Sequence, residues 1–333
     1  PILISSLTSE QQREIQEVLW VYKAKPGSDG LLERVKARLT LRGDLDKRPM
    51  RRLEAYAPVM HYLTMRVMIA VGIQDARVRF WQADCASAFP TAHVHRPSWI
   101  VIPPGFRCAN NRGRVLPLLR NLYGGKVAGR VYYDYWVSVH VHLGFQPIHH
   151  DKAFLHIYKG DQFIRTCFHV DDGAYAQLGD ELWAWYLKEI NVYFKLTAKM
   201  LSFFLGVTYD IDYERGVVRM GQTAQVEKML RALDMADCKP TVTPVPLNSK
   251  QPTAADAVDK GVDPDVDNFD MYQVLGFLNH LCGGTRPDIS EALKILSKFG
   301  ARYGLPHIER AKHLVRYLAG TKSFALEYKR VPG

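Results

Sequence analysis

Between Phe163 and Ala176 the chain runs Phe163-Ile164-Arg165-Thr166-Cys167-Phe168-His169-Val170, then Asp171-Asp172-Gly173, then Ala174-Tyr175-Ala176. β-Branched and aromatic runs flanking an Asp-Gly punctuation predict a β-hairpin. A second strand-like run, Val78 to Ala83, ends in Asp84 and is followed by the small residues Cys85-Ala86-Ser87-Ala88 and by Phe89. Residues 74–90 and 150–220 alternate such runs with turns, around a helical stretch near 180–195. That is the pattern of an antiparallel sheet with helices on one face. After Met220 the period becomes helical. Val226, Met229, Leu230 and Leu233 share one stripe, and Ile289, Leu293, Leu296 and Phe299 share another. A last helix is expected from about Pro306, a first-turn residue, to Gly320, a C-terminal cap. Together these elements predict an α+β protein.

The clearest break lies at residues 240–270. Thr241-Val242-Thr243-Pro244-Val245-Pro246 leads into a tract, 251–270, with six Asp against one Lys. Asp263, Asp265 and Asp267 imitate the start of a calcium loop. Asn268 stands where that loop needs Gly and Val274 where it needs Glu, so a flexible acidic linker is expected.

Composition adds a partner class. Forty-four basic and 34 acidic side chains leave +10, which on a globular chain of 333 residues favours a polyanion. Residues 34–52 hold Arg34, Lys36, Arg38, Arg42, Lys47, Arg48, Arg51 and Arg52 against Asp44 and Asp46. Apolar residues interleave with them, so a folded element with a basic face is expected there. The five cysteines are scattered and form no C-x-x-C pair, which argues against a disulfide framework and structural zinc and suits a reducing compartment. His140, His142, His149 and His150 lack a carboxylate or thiolate at ligand spacing and are expected on the surface or satisfied in the core. No apolar run reaches the roughly 18 residues of a membrane span, and no signal peptide opens the chain. Pro1 as the first residue suggests a piece of a longer polyprotein or an engineered chain.

The acids carry the chemistry. Two carboxylates at a turn repel, and a divalent cation removes the repulsion; the pair alone reads equally well as a solvated acidic turn. Asp84, at the end of an apolar strand, supplies a third acid. One strand-end Asp plus an Asp-Asp hairpin tip is the ligand set expected for two-metal phosphoryl transfer. Hard oxygen ligands suit Mg²⁺ where His or Cys would not.

Ordered segments around these acids carry a family resemblance. They include Asp29-Gly30 with Glu33-Arg34-Val35-Lys36-Ala37-Arg38-Leu39, Tyr56-Ala57-Pro58-Val59, Gln82-Ala83-Asp84 through Phe89, and Pro103-Pro104-Gly105-Phe106. Leu122-Tyr123-Gly124, Phe204-Leu205-Gly206, Asp237-Cys238-Lys239-Pro240, Thr285-Arg286-Pro287-Asp288-Ile289 and Arg316-Tyr317-Leu318-Ala319-Gly320-Thr321 follow in the same order. The chain resembles the reverse transcriptase region of copia-type long-terminal-repeat retrotransposons, from about Gly30 to Arg330 and without an RNase H, integrase or protease segment.

The resemblance implies a right-hand polymerase. Fingers would occupy 1–73 and 95–130, an antiparallel-sheet palm 74–94 and 131–220, and a helical thumb or connection 221–333, with the acidic linker 241–270 inside it. It implies Asp84, Asp171 and Asp172 as catalytic acids holding two Mg²⁺ ions, with Mn²⁺ as an alternative and the Cys85 carbonyl as an extra ligand. Lys36, Arg38, Phe89 and Lys126 fall at positions that contact the incoming dNTP, Phe89 as the ring that excludes a 2′-hydroxyl. His169 and Phe204-Leu205-Gly206 fall at the primer end, and Arg42, Arg51 and Arg52 would meet the nucleic-acid backbone. The implied activity is RNA-directed DNA polymerisation on a primer–template. No membrane partner is expected, the oligomeric state stays open, and the location is intracellular, in a cytoplasmic particle or the nucleus, and not secreted. Departures leave an alternative: His169 replaces the family's Tyr, and Val127 and Gly129 replace a Gln and a Pro. A retroelement-derived, non-catalytic nucleic-acid-binding or scaffold protein would tolerate all three.

Overall fold

The computed structural model describes residues 1–26, 32–46, 48, 52–247, 249–259 and 261–331, with the side chains of 25, 26, 52 and 53 outside the description. The protein is a mixed α/β chain in two compact units, Pro1–Met60 with Ala83–Lys199 and His61–Gln82 with Met200–Gly333. The unit changes fall at 60/61, 82/83 and 199/200.

In the first unit a long antiparallel hairpin, Val18–Pro26 with Leu32–Leu41, pairs Val21 with Arg38 and Lys23 with Lys36. Alternation therefore puts four cations, Lys23, Arg34, Lys36 and Arg38, on one face. A four-stranded sheet follows the order Ile2–Leu3, Arg114–Pro117, Trp99–Val101, Ile15–Gln16. The largest sheet has six strands in the order Leu196–Met200, Arg79–Cys85, Asp172–Leu178, Gln162–His169, Phe154–Lys159, Gln146–Pro147. Helices Ala128–His142 and Asp180–Tyr193 accompany it. The second helix starts with Asp180 and Glu181, acids that suit the positive end of the helix dipole, and buries Leu182, Trp183, Tyr186 and Ile190 along one stripe.

Aromatic rings fill this core. Trp136 lies 4.8 Å from Phe194 and 5.7 Å from Phe168. His140 is fully buried, with Nδ1 2.9 Å from the Trp136 carbonyl and Nε2 3.0 Å from the Tyr186 hydroxyl; burial pushes its pKa down to about 4. His142, His149 and His150 are exposed. The expectation for the histidine group is met: one satisfied core residue and three on the surface.

In the second unit four antiparallel strands follow the order Phe203–Phe204, Val207–Asp212, Val217–Gly221, Ala325–Lys329. Helices Tyr62–Gly72, Thr223–Ala232, Met271–Gly284, Ser290–Ser297 and Leu305–Gly320 complete it. Val226, Met229, Leu230, Leu278, Leu293, Leu296, Leu314 and Leu318 share one core, so both helical stripes point inward as their spacing requires. The second stripe is not one helix: Ile289 closes a short 3₁₀ turn, Pro287–Ile289, and Phe299 lies beyond the helix end.

Two of the family-like segments meet in this core. The Arg286 guanidinium donates to both oxygens of Asp288 (2.9 and 2.7 Å) and to the carbonyl and hydroxyl of Thr321 (3.0 and 2.7 Å). The Tyr317 hydroxyl donates to Asp288 at 2.9 Å. The segment expected to be an acidic linker also makes specific contacts. Thr241 N donates to the Arg316 carbonyl, Val258 N to the Tyr303 carbonyl, and Val266 is buried. Its acids act locally: Asp263 caps Pro264–Asp267, and Asp270 accepts from Gln273 N at the start of Met271–Gly284. Side-chain acceptors at helix starts satisfy otherwise orphaned N–H groups.

Candidate active site

Strands Gln162–His169 and Asp172–Leu178 form the predicted hairpin, with Phe168 opposite Gly173 and His169 opposite Asp172. The turn residues are therefore Val170 and Asp171, two residues earlier than the Asp-Gly punctuation suggested. Gly173 lies in the strand opposite Phe168, and the Tyr175 ring packs where its side chain would be. Val170 adopts φ 57, a conformation a β-branched residue rarely takes, at a cost of about 1–3 kcal/mol. Strain thus sits at the acid tip.

Backbone hydrogen bonds join this tip to the strand that carries Asp84. Cys85 N donates to the Asp171 carbonyl at 2.8 Å, and Ala86 N to the Lys195 carbonyl at 2.9 Å. Asp84 is exposed at the end of its strand, and Asp171 and Asp172 are half-buried. The Asp172 carboxyl is held above its usual range by burial, then by the negative charges of Asp171 and Asp84, against an opposing effect of His169. The Asp172 carboxyl therefore feels the charge of both other acids. Among the described residues no three His, Cys, Asp or Glu side chains form a ready-made metal cage. Mg²⁺ does not need one, because it is usually held by one or two carboxylates together with water and substrate phosphates. The oxygen-only donor set and its excess negative charge fit that ion.

Phe89 follows in the short helix Ala88–Thr91, entered through Ser87 at φ 57. Its ring stands edge-on to Tyr123 (4.8 Å) and Tyr132 (5.9 Å). The Arg38 guanidinium lies 5.5 Å from the centre of the Tyr123 ring. Burial raises the Tyr123 hydroxyl pKa, and the Asp171 charge adds to it. Tyr132 is buried, and its pKa is raised by burial and by Cys85. The sequence reading had not assigned these two tyrosines to the site. Tyr123 belongs to the family-like segment Leu122-Tyr123-Gly124 and Tyr132 carries no such signal, whereas the structure makes them the walls that hold Phe89 and link it to Arg38.

Leu41 N donates to the Tyr123 carbonyl at 2.8 Å. A side chain at Gly124, which has φ 81, would collide with the Leu41 carbonyl. That close approach explains the glycine after Leu122-Tyr123 and ties the segment to the strand carrying Lys36 and Arg38.

The other expected contact residues make contacts within the protein. Lys126 Nζ donates to the Asp46 carbonyl. Arg42 forms a two-pronged bond with Asp44, at 2.9 and 2.6 Å. Arg48, which the basic run had included, is nearly buried between Asp46 (2.6 Å) and Glu14 (2.8 Å). Arg51 and the Arg52 side chain lie outside the described residues. In the second unit Phe204 is buried, and Leu205 (φ 48) and Gly206 (φ 81) form a two-residue turn between Phe203–Phe204 and Val207–Asp212. Two positive φ values in succession match the twist of a tight hairpin. The Tyr62 hydroxyl donates to the Leu205 carbonyl at 3.0 Å.

With this geometry in hand, comparison with known proteins is decisive at family level. The profile of the family described as reverse transcriptase (RNA-dependent DNA polymerase) matches residues 6–247. The chain belongs to this reverse transcriptase family. It is 26% identical over 315 residues to the retrovirus-related Pol polyprotein from transposon RE1 of Arabidopsis thaliana, covering 93% of this chain and 21% of that protein. It is also 26% identical over 316 residues to the corresponding polyprotein from transposon TNT 1-94 of Nicotiana tabacum, covering 91% and 23%. An uncharacterized mitochondrial protein of Arabidopsis thaliana, AtMg00810, is 35% identical over 123 residues, covering 36% of this chain and 46% of that protein. The chain is thus a copia-type reverse transcriptase region and spans about a fifth of the length of the two polyproteins it matches. Among the described residues, no helix of the reverse transcriptase region is long and apolar enough to cross a membrane.

Proposed function

We propose that this chain is an RNA-directed DNA polymerase that extends a primer on an RNA or DNA template, intracellularly. The single observation that carries the reading is the set of acids Asp84, Asp171 and Asp172, joined through the Cys85–Asp171 backbone bond and sharing one electrostatic environment. In nucleotidyl transfer the primer 3′-oxygen bonds to the α-phosphorus of a dNTP as pyrophosphate leaves. Asp84, Asp171 and Asp172, with the Cys85 carbonyl, would hold two Mg²⁺ ions. Those ions supply a lowered pKa at the attacking hydroxyl and neutralisation of the phosphate oxygens.

The remaining residues take positioning roles. Phe89, braced by Tyr123 and Tyr132, offers a ring edge against a ribose 2′-hydroxyl. Lys36 and Arg38, on one face of the long hairpin, bind the triphosphate. His169, opposite Asp172, packs beneath the primer end. Fingers, palm and thumb are the architecture in which these roles combine, and primer–template and dNTPs are the partners. Primer extension on an RNA template with Mg²⁺, and with Mn²⁺ in its place, tests the reading. Extension supports it, and binding without extension would assign the chain to a non-catalytic nucleic-acid-binding role.

A further inference from the structure

Most arginines that the structure describes in ion pairs are held on aspartates: Arg42, Arg48, Arg77, Arg130 and Arg286 lie 2.6–2.8 Å from a carboxylate. Three others differ. Arg107, Arg112 and Arg114 line one cleft of about 520 Å³ in the first unit, in and beside the loop between Trp99–Val101 and Arg114–Pro117. Among the described residues none of the three forms an ion pair. Their hydrogen bonds go to main-chain carbonyls, Arg107 Nε to Ile102 at 2.9 Å and Arg114 Nη1 to Pro1 at 3.3 Å. Among the described residues Glu17 is the one acid lining the cleft.

Beside the cleft the same loop presents an aromatic face. Phe106 directly precedes Arg107, is 64% exposed, and lies 6.3 Å from the Trp20 ring. The loop is held in shape: Trp20 Nε1 donates to the Pro104 carbonyl (3.0 Å), and Asn111 Nδ2 to the Phe106 carbonyl (2.7 Å). Three uncompensated guanidiniums beside a fixed, exposed ring pair two kinds of recognition. Arginine meets phosphate through a planar fork of donors, and an aromatic face stacks on an unpaired base.

We propose that this cleft is an accessory binding site for single-stranded nucleic acid, with phosphates on Arg107, Arg112 and Arg114 and a base on Phe106. A small-molecule pocket would enclose most of its ligand in a largely apolar lining, whereas Arg107, Arg112 and Phe106 are all exposed. A flexible strand with regularly spaced charges and flat faces fits. An acidic peptide would use the guanidiniums and leave the ring idle. The site is independent of the polymerase reading, because a non-catalytic chain would bind there as well.

The test uses the full chain and a labelled oligouridylate of about 12 nucleotides, within the range of single-strand sites. Each phosphate neutralised on a single strand contributes roughly 0.7 to the log–log salt slope, so replacing all three arginines with alanine should flatten the slope by about 2. The triple lysine variant should keep the slope. Phe106→Ala should weaken binding by roughly 5- to 100-fold at an unchanged slope, because stacking is neutral. On the unmutated chain, photo-crosslinking with 4-thiouridine in the oligonucleotide should label the peptide containing Phe106, which decides the matter even if the triple alanine variant does not fold. A slope unchanged by the three alanines, or no label on that peptide, would overturn the proposal. So would displacement of the strand by polyglutamate together with an unaffected Phe106→Ala variant, which would assign the cleft to acidic peptides.

Discussion

Arg286 offers the sharpest quantitative test of the second unit. Its side chain is 2% exposed and makes four hydrogen bonds, two to Asp288 and two to Thr321. Arg286→Met keeps much of the volume and removes all four. Breaking a buried pair by deleting one partner costs about 3–5 kcal/mol. Asp288 is 33% exposed and retains the Tyr317 hydroxyl, which places the loss at the lower end, about 3 kcal/mol. For a unit of this size that lowers Tm by roughly 6–12 °C. Scanning calorimetry is the assay, because it can separate the two units' transitions.

Protonation gives an independent check. Burial pushes the Asp288 carboxyl up, but the Arg286 and Tyr317 hydrogen bonds outweigh it, and the folded-state pKa lies below the usual value. A carboxylate depressed in this way contributes its stability above the unfolded pKa of about 4 and loses it as pH falls through the folded value. The stability gap between wild type and Asp288→Asn should therefore be flat at neutral pH and close in acid. A Tm change under about 2 °C for Arg286→Met, or a gap that widens in acid, would refute the reasoning.

Three predictions concern the proposed active site. Phe89→Val removes the ring edge held by Tyr123 and Tyr132, and should raise the rNTP/dNTP incorporation ratio at least tenfold, about 1.4 kcal/mol of discrimination, while lowering overall activity; single-nucleotide extension kinetics measure both. His169→Tyr should retain extension, and His169→Ala should shorten the products made per binding event, read on a trapped primer-extension gel; a folded Tyr variant that cannot extend would show a specific role for the imidazole. Lys36→Ala should raise the apparent KM for dNTP several-fold with little change in primer–template affinity, and a drop in Tm with KM unchanged would make Lys36 structural.

The sequence made the local parts of this protein legible, and contacts between distant segments were harder to read. The acid hairpin, the Asp84 strand end and the helix ending at Gly320 all follow from period, turn residues and short-range chemistry, whereas the histidine group read as surface or core and the fold makes His140 the buried one. Those rules act within a few residues. The turn falls at Val170-Asp171, two residues before the Asp-Gly pair, and Gly173 pairs with Phe168 inside the ladder, which turn chemistry alone does not reveal. Arg42, Arg48 and Lys126 stood out as cations, but neighbouring carboxylates and a main-chain carbonyl occupy them. Charge density in a sequence does not say which charges are already paired. Tyr123 and Tyr132 joined Phe89 only when the fold brought the segments together.

The central claim is that Asp84, Asp171 and Asp172 form a working two-metal site. Asp171→Asn should therefore abolish primer extension while leaving primer–template affinity within about twofold of wild type, since duplex affinity comes mainly from phosphate contacts rather than from the acids. Extension and gel-shift assays on the same preparations measure both quantities. Loss of extension with binding retained is the predicted result; extension by Asp171→Asn at the wild-type rate would contradict the account.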